Sequence, residues 1–162
     1  MAITMKIEGL AGLSEQLAQM GEKAEAVASG GLYEGAGIMA AEINKSAGSI
    51  ITAPFRYAPP GAKRQPSPEE KEAVMSAGAG IAKFQKNGSE VNTSVGYNGA
   101  GYVNMGYGKR KAIAQIANAI NSGTSFMKKQ PFVRKAATTG SKKAGEAITK
   151  YIEEKFDALS KK

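Results

Sequence analysis

The side chains available for chemistry are fourteen carboxylates, six tyrosines and scattered hydroxyls, with no histidine and no cysteine beside them. Without histidine the chain lacks the commonest metal ligand and the usual neutral-pH proton carrier. Without cysteine it has no thiolate nucleophile and no disulfide. The carboxylates gather at Glu69-Glu70-Glu72 and at Glu153-Glu154, and Asp157 is the only aspartate. Both groups fall where a helix exposes charge, and the first also complements a helix N-terminus. Neither has the spacing of a metal centre, and a two-metal nuclease or phosphotransferase site is hard to assemble from them. HExxH, CxxC and GxxxxGK[ST] motifs are absent. Gly78-Ala79-Gly80 lies between a helix pattern and a strand pattern and lacks the third glycine of a dinucleotide turn. Asn98-Gly99-Ala100-Gly101 leads into another strand, where such a turn leads into a helix. Both read as plain turns. No catalytic, cofactor-binding or metal-binding residue is assigned, and enzymatic activity is not expected.

The basic residues are the other source of chemistry. The formal charge is +8, and residues 109–162 carry thirteen basic against four acidic side chains, while residues 91–108 carry none. Lys142, Lys143, Lys150 and Lys155 read as a solvated helix face. Lys109, Arg110, Lys111, Lys128 and Lys129 sit at segment ends beside loops and are the candidates for contact with DNA or an acidic partner. Nothing near them reads bases, so any DNA contact is expected to be non-specific and salt-sensitive. Tyr97, Tyr102 and Tyr107 could stack bases on a sheet. They alternate with small residues and no cation intervenes, so packing is the preferred reading, with Tyr102 and Tyr107 at a subunit interface.

The elements that would position these residues follow from periodicity. Ile3 to Ile7 alternates as a short strand. Leu10, Leu13, Leu17, Met20, Ala24 and Val27 repeat at helical spacing, and the pattern resumes from Leu32 to Ile43. Ser29-Gly30-Gly31 between them predicts a kink or two collinear helices. Gly35, Ala36, Gly37, Ala40 and Ala41 would admit a close helix neighbour. Ser67-Pro68-Glu69-Glu70 is a capping box with proline at the first helical position, opening a helix that ends near Ala77 before Gly78. Asn87-Gly88 predicts a hairpin between Ile81–Lys86 and Glu90–Tyr97. Tyr102, Val103, Met105 and Tyr107 suggest a third strand, and Ala112 to Ile120 a short helix with Ile113, Ile116 and Ile120 on one face. Strands gathered between helices argue an α+β fold: one domain, residues 1–162, with a small antiparallel or mixed sheet packed against long N-terminal and C-terminal helices.

Residues 47–66 stand apart. This stretch holds Pro54, Pro59, Pro60 and Pro66 with Phe55, Arg56 and Tyr57, and reads as a loop or arm whose Phe55 and Tyr57 anchor a neighbouring subunit. The uncharged run Val91–Gly108 reads as an edge that a neighbour must cover, because it lacks the usual guarding charge or proline. No apolar run is long enough for a bilayer, so no membrane partner is expected. MAITMKIEGL is not read as a signal peptide.

Asn121 to Ala137 contains the densest turn in the chain and the launch of its most regular helix. Gly123-Thr124-Ser125 forms the turn, and Pro131 suits a helix start. From Phe132 an apolar stripe runs through Ala136, Ala144, Ile148, Ile152 and Phe156, with Val133, Ala137, Ala147, Tyr151 and Leu159 beside it. Gly123-Thr124-Ser125, then Gln130-Pro131-Phe132-Val133-Arg134-Lys135-Ala136, together with an opening Lys6-Ile7-Glu8-Gly9-Leu10 followed by Leu13 and Leu17, resemble tail-completion or neck proteins of tailed bacteriophages. The resemblance covers most of the chain except residues 47–66. It departs at Ile120-Asn121-Ser122, where an acidic or bulky aromatic residue usually precedes the turn. It implies a structural protein that forms a homo-oligomeric ring, of six or twelve copies, between the head-side connector or stopper and the tail tube. The implied location is the head–tail junction of the virion, after assembly in the host cytoplasm. A tail terminator capping the tube, and a basic nucleic-acid-binding module, are the alternatives.

Overall fold

The computed structural model describes residues 2–5, 22–50, 54, 58–87, 90–105 and 109–160. In chain order the elements are β1 (Ala2–Met5), α1 (Glu22–Ile50), α2 (Pro68–Ala77), β2 (Gly80–Ile81), β3 (Gln85–Asn87), β4 (Glu90–Gly96), β5 (Tyr102–Asn104), β6 (Arg110–Ala112), α3 (Ile113–Ser122) and α4 (Phe132–Ser160). The fold is α+β: small antiparallel sheets against two long helices.

β4 is the central strand of the main sheet, with β1 on one flank and β2 then β3 on the other, all antiparallel. Its lack of charge therefore has an interior cause, and the edge reading of Val91–Gly96 is corrected. Thr93, Val95 and Tyr97 are all buried. The Asn87-Gly88 hairpin signal is matched by the pairing of Asn87 with Glu90. Ile81 pairs with Val95 and Gln85 with Asn92, so three residues on one strand oppose two on the other. This is a bulge, held where the Ala82 amide donates to the Ser94 carbonyl at 2.8 Å and the Thr93 hydroxyl to the Ala82 carbonyl at 2.8 Å. The third strand does not extend this sheet. β5 instead pairs with β6, a strand that the basic run Lys109-Arg110-Lys111 concealed from sequence reading.

α1 is continuous through Ser29-Gly30-Gly31, against the expected kink. The reason is tertiary. A Cβ on Gly30 would overlap the Tyr151 ring, one on Gly31 would lie 3.1 Å from Ile152 Cγ1, and one on Gly35 would lie 2.5 Å from Ile148 Cδ1. These glycines let α4 lie directly on α1, and packing overrides a helix-propensity deficit of about 1 kcal/mol each. Gly140 of α4 makes the reciprocal approach to Met39 and Glu42. Contacts that run forward on α1 while running backward on α4 show that the pair is antiparallel. Among the described residues nothing lies within 4 Å of a Cβ added at Gly37, and Ala41 is exposed, so only part of the small-residue run serves close approach.

The main core joins Ala36, Met39 and Ile43 of α1, Val74 of α2, Val95 and Tyr97 of the sheet side, Ile116 and Ile120 of α3, and Phe132 and Ala136 of α4. A smaller cluster of Val27, Ile148 and Ile152, with Phe156 against it, closes the far end of the helix pair. Helix α1 carries Ala47 to Ile50, so the irregular stretch begins later than expected. Phe55, Tyr57, Tyr107 and the Lys6–Leu17 opening lie outside the described residues.

Candidate functional site

The Gly123–Phe132 stretch is the clasp at which the last helix is attached to the rest of the chain. Gly123 ends α3 with φ +76°, a left-handed conformation that suits glycine. A side chain there would also meet Lys129 backbone and Cβ within 3.2 Å. Thr124 folds the next residues back: its hydroxyl accepts from the Met127 amide at 2.9 Å, and its own amide donates to the Met127 carbonyl at 3.0 Å. Met127 is consequently buried at 2 % exposure, whereas Phe126 is 58 % exposed. The Gln130 amide donates to the Ile120 carbonyl at 2.8 Å, and the Lys135 amide closes the first turn of α4 on the Pro131 carbonyl.

Asn121 caps this helix from a distance in sequence. Its side-chain oxygen accepts from the Val133 amide at 3.0 Å, in a buried setting. Phe132 is fully buried and meets Tyr97 edge to face, with ring centroids 6.0 Å apart. Among the described residues the Tyr97 hydroxyl has no hydrogen-bond partner, and burial pushes its pKa up to about 12.

A second tie reaches the clasp from Arg64. This residue pairs with Met127 in a parallel bridge, donating its amide to Phe126 and accepting from the Lys128 amide. Its guanidinium forks onto Glu70 at 2.7 and 2.8 Å and lies 5.9 Å from the centre of the Phe126 ring. Glu70 also accepts from the Ser67 amide, completing the capping box of α2. Burial works against the Glu70 carboxylate, yet Arg64, the Ser67 amide and Lys111 together hold its pKa below the ordinary value. Gln65 and Gln130 join the same two segments at 2.6 Å. The last residues of the 47–66 stretch, Arg64 and Gln65, are thus fastened to the start of α2 and to the turn before α4, so this end of the expected arm is tied to its own chain.

The candidate contact residues are distributed around this frame. Lys109, Arg110, Lys111, Lys128 and Lys129 are all exposed. Arg110 and Lys111 belong to β6 at the start of α3, while Lys128 and Lys129 follow its end, so α3 separates the two groups. Tyr102 is 67 % exposed on β5, with the Arg110 guanidinium 5.3 Å from its ring centre. Tyr97 faces the core and is removed from any stacking row. Gly123 and Thr124 shape the turn, Pro131 immediately precedes α4, and Phe132 opens that helix in the core; Ser125 is exposed. Sequence reading missed Arg64, which carried only the signal of a cation six residues before a capping-box acid. It also missed the long-range role of Asn121, whose local signal was that of a turn former.

Among the described residues no group of three or more His, Cys, Asp or Glu side chains could hold a metal ion. No described helix is long and apolar enough to cross a membrane. Comparison with known proteins gives no match to a family model, a curated protein or a solved structure.

Proposed function

We propose that this chain is a virion structural protein of the bacteriophage neck, a tail-completion protein that forms a ring joining the head-side connector to the tail tube. The observation that carries the reading is the Gly123–Phe132 clasp. The C-terminal part of the resemblance, Gly123 to Ala136, falls on residues that fasten α4 to α3 and to Tyr97 of the sheet side, and so on residues that organise the molecule. Exposed Tyr102 and Phe126, each with an arginine against its ring, provide aromatic–cation surface of the kind that anchors protein contacts. In a tailed phage that encodes this chain, its loss should leave filled heads and separate tails. Adding the purified protein back to an extract should restore joined particles. Joined, infective particles formed at the normal level without the chain would refute the proposal.

The exposed basic groups at Lys109–Lys111 and Lys128–Lys129 favour a second reading, a non-enzymatic nucleic-acid-binding module. That reading expects duplex DNA affinity in the absence of any phage protein, steeply weakened by salt and indifferent to base sequence.

A further inference from the structure

The β5–β6 hairpin has two strands only, and its pairing fixes which backbone groups are unused. Met105 donates to Lys109, and Ile113 donates to Gly101, so these are hydrogen-bonding positions of the ladder. Bonding alternates along an antiparallel pair. The N–H and C=O groups of Tyr102 and Asn104 therefore point away from β6, and among the described residues no strand lies beyond them. Such an edge is a template for another strand.

This edge is flanked in a particular way. A groove runs between β5 and α2, bounded by Tyr102, Val103 and Asn104 on one side and by Glu69, Glu72 and Ser76 on the other. Its floor is apolar, with Ala73 and Val103 partly filling it. Tyr102 and Asn104 are exposed, and so are both glutamates. A strand added here would have backbone partners on β5 and carboxylates along its outer side. The strand that fits best is basic, and the chain carries one. β6 holds exposed Arg110 and Lys111 next to exposed Lys109, and its own outer edge has no strand partner among the described residues.

We propose that β6 of one copy pairs with β5 of the next, with Lys109 and Arg110 meeting Glu69 and Glu72. This contact is heterologous: the donor edge and the receiving edge are different surfaces of the same chain. It therefore propagates head to tail and closes into a ring when the rotation permits. It names the contact that the neck reading requires, and it rests on that reading for its biological setting. Strand addition supplies backbone hydrogen bonds and the charge pattern sets the direction.

The experiment uses two reversed variants of the full chain. One carries Glu69→Lys and Glu72→Lys, the other Lys109→Glu and Arg110→Glu. Sedimentation velocity at low salt should show self-association of the wild type, with hydrogen exchange at the Tyr102 and Asn104 amides slowing as concentration rises. Each variant alone should associate at least tenfold more weakly, because its like charges face each other. Mixed one to one, the variants should regain association, since each reversed surface then meets an opposite charge. A folding defect would not be repaired by mixing. A wild type that stays monomeric at its highest soluble concentration overturns the proposal. So do variants that associate as well as wild type, or Tyr102 and Asn104 amides that are indifferent to concentration. Protection of those amides only by another, basic tail protein would likewise replace the second copy with a different occupant. A phage that joins heads to tails without this chain would remove the neck reading while leaving the solution measurements standing. A failed β5–β6 contact in a chain still needed for joining removes only this edge.

Discussion

Gly35 and Gly37 lie two residues apart in the same helix, and substituting each by alanine separates packing from propensity. In the unfolded chain and in the helix backbone the two changes are nearly equivalent. Each should gain about 1 kcal/mol, the difference between alanine and glycine inside a helix. Among the described residues no heavy atom beyond its own helix lies within 4 Å of a Cβ added at Gly37, so Gly37→Ala should keep that gain. At Gly35 the same Cβ lies 2.5 and 2.6 Å from Ile148 Cδ1 and Cγ1, and 3.3 Å from the Ala144 carbonyl oxygen. The Ile148 side chain can rotate, but it is buried at 7 % exposure, and the Ala144 carbonyl belongs to the α4 backbone. Overpacking of this kind costs about 1–3 kcal/mol. The net effect of Gly35→Ala is then a loss of about 0–2 kcal/mol, and the two variants should differ by about 1–3 kcal/mol. Urea denaturation followed by far-ultraviolet circular dichroism, with equal m-values as the two-state check, measures that difference. If Gly35→Ala is stabilised as much as Gly37→Ala, the helices do not approach at Gly35 as described.

Three further outcomes follow from the clasp. Phe132→Ala should cost about 3–5 kcal/mol, the range for a buried phenylalanine, read by chemical denaturation; stability equal to wild type would reject its burial. Asn121→Ala removes the side-chain oxygen that accepts from the Val133 amide and should cost about 1 kcal/mol or more, with amide exchange rising first in the opening turn of α4. Arg64→Met leaves the Glu70 carboxylate buried without its cation and should cost about 2–3 kcal/mol at pH 7, below the full range for a broken buried pair because Arg64 is partly exposed. Because the folded state depresses the Glu70 pKa, its stabilisation is present above the unfolded carboxylate value and is lost as pH falls through the folded one. The Arg64→Met deficit should therefore shrink below about pH 4, and a deficit unchanged at pH 3 would contradict this origin.

What the sequence made legible was mostly local. The α2 capping box is decided by four consecutive residues, Ser67 to Glu70, and its hydrogen bonds need nothing outside the segment. The Asn87-Gly88 hairpin signal, matched by the pairing of Asn87 with Glu90, and the isoleucines of α3 are of the same kind. Misreadings came where a distant segment decides. Gly30-Gly31 breaks an isolated helix but admits Tyr151 and Ile152 in the folded one. Asn121 looks like a turn former until Val133, twelve residues on, needs an acceptor. Arg110 and Lys111 looked like a loop end because strand character there depends on Tyr102 and Val103 lying alongside. The bulge at residues 82–84 depends on where Thr93 and Ser94 fall, which no pattern within the first strand reveals. For the candidate surface, sequence picked out Tyr102 and the basic residues of β6, but not the α2 wall opposite them.

The interlocked glycines also give the long helix pair a mechanical character. Tyr151 sits over Gly30, Ile148 over Gly35, and Met39 over Gly140. The notches lie on both helices and are spread along their length. Sliding one helix past the other by a single turn, about 5.4 Å, would bring Tyr151 against Ala26 or Glu34 and Ile148 against Gly31 or Met39. In one direction Glu34 and Met39 fill the space that the bulky side chains need, whereas in the other Ala26 and Gly31 leave it open. The notches therefore oppose sliding one way more than the other. A pair built this way acts as a directional stop along its axis.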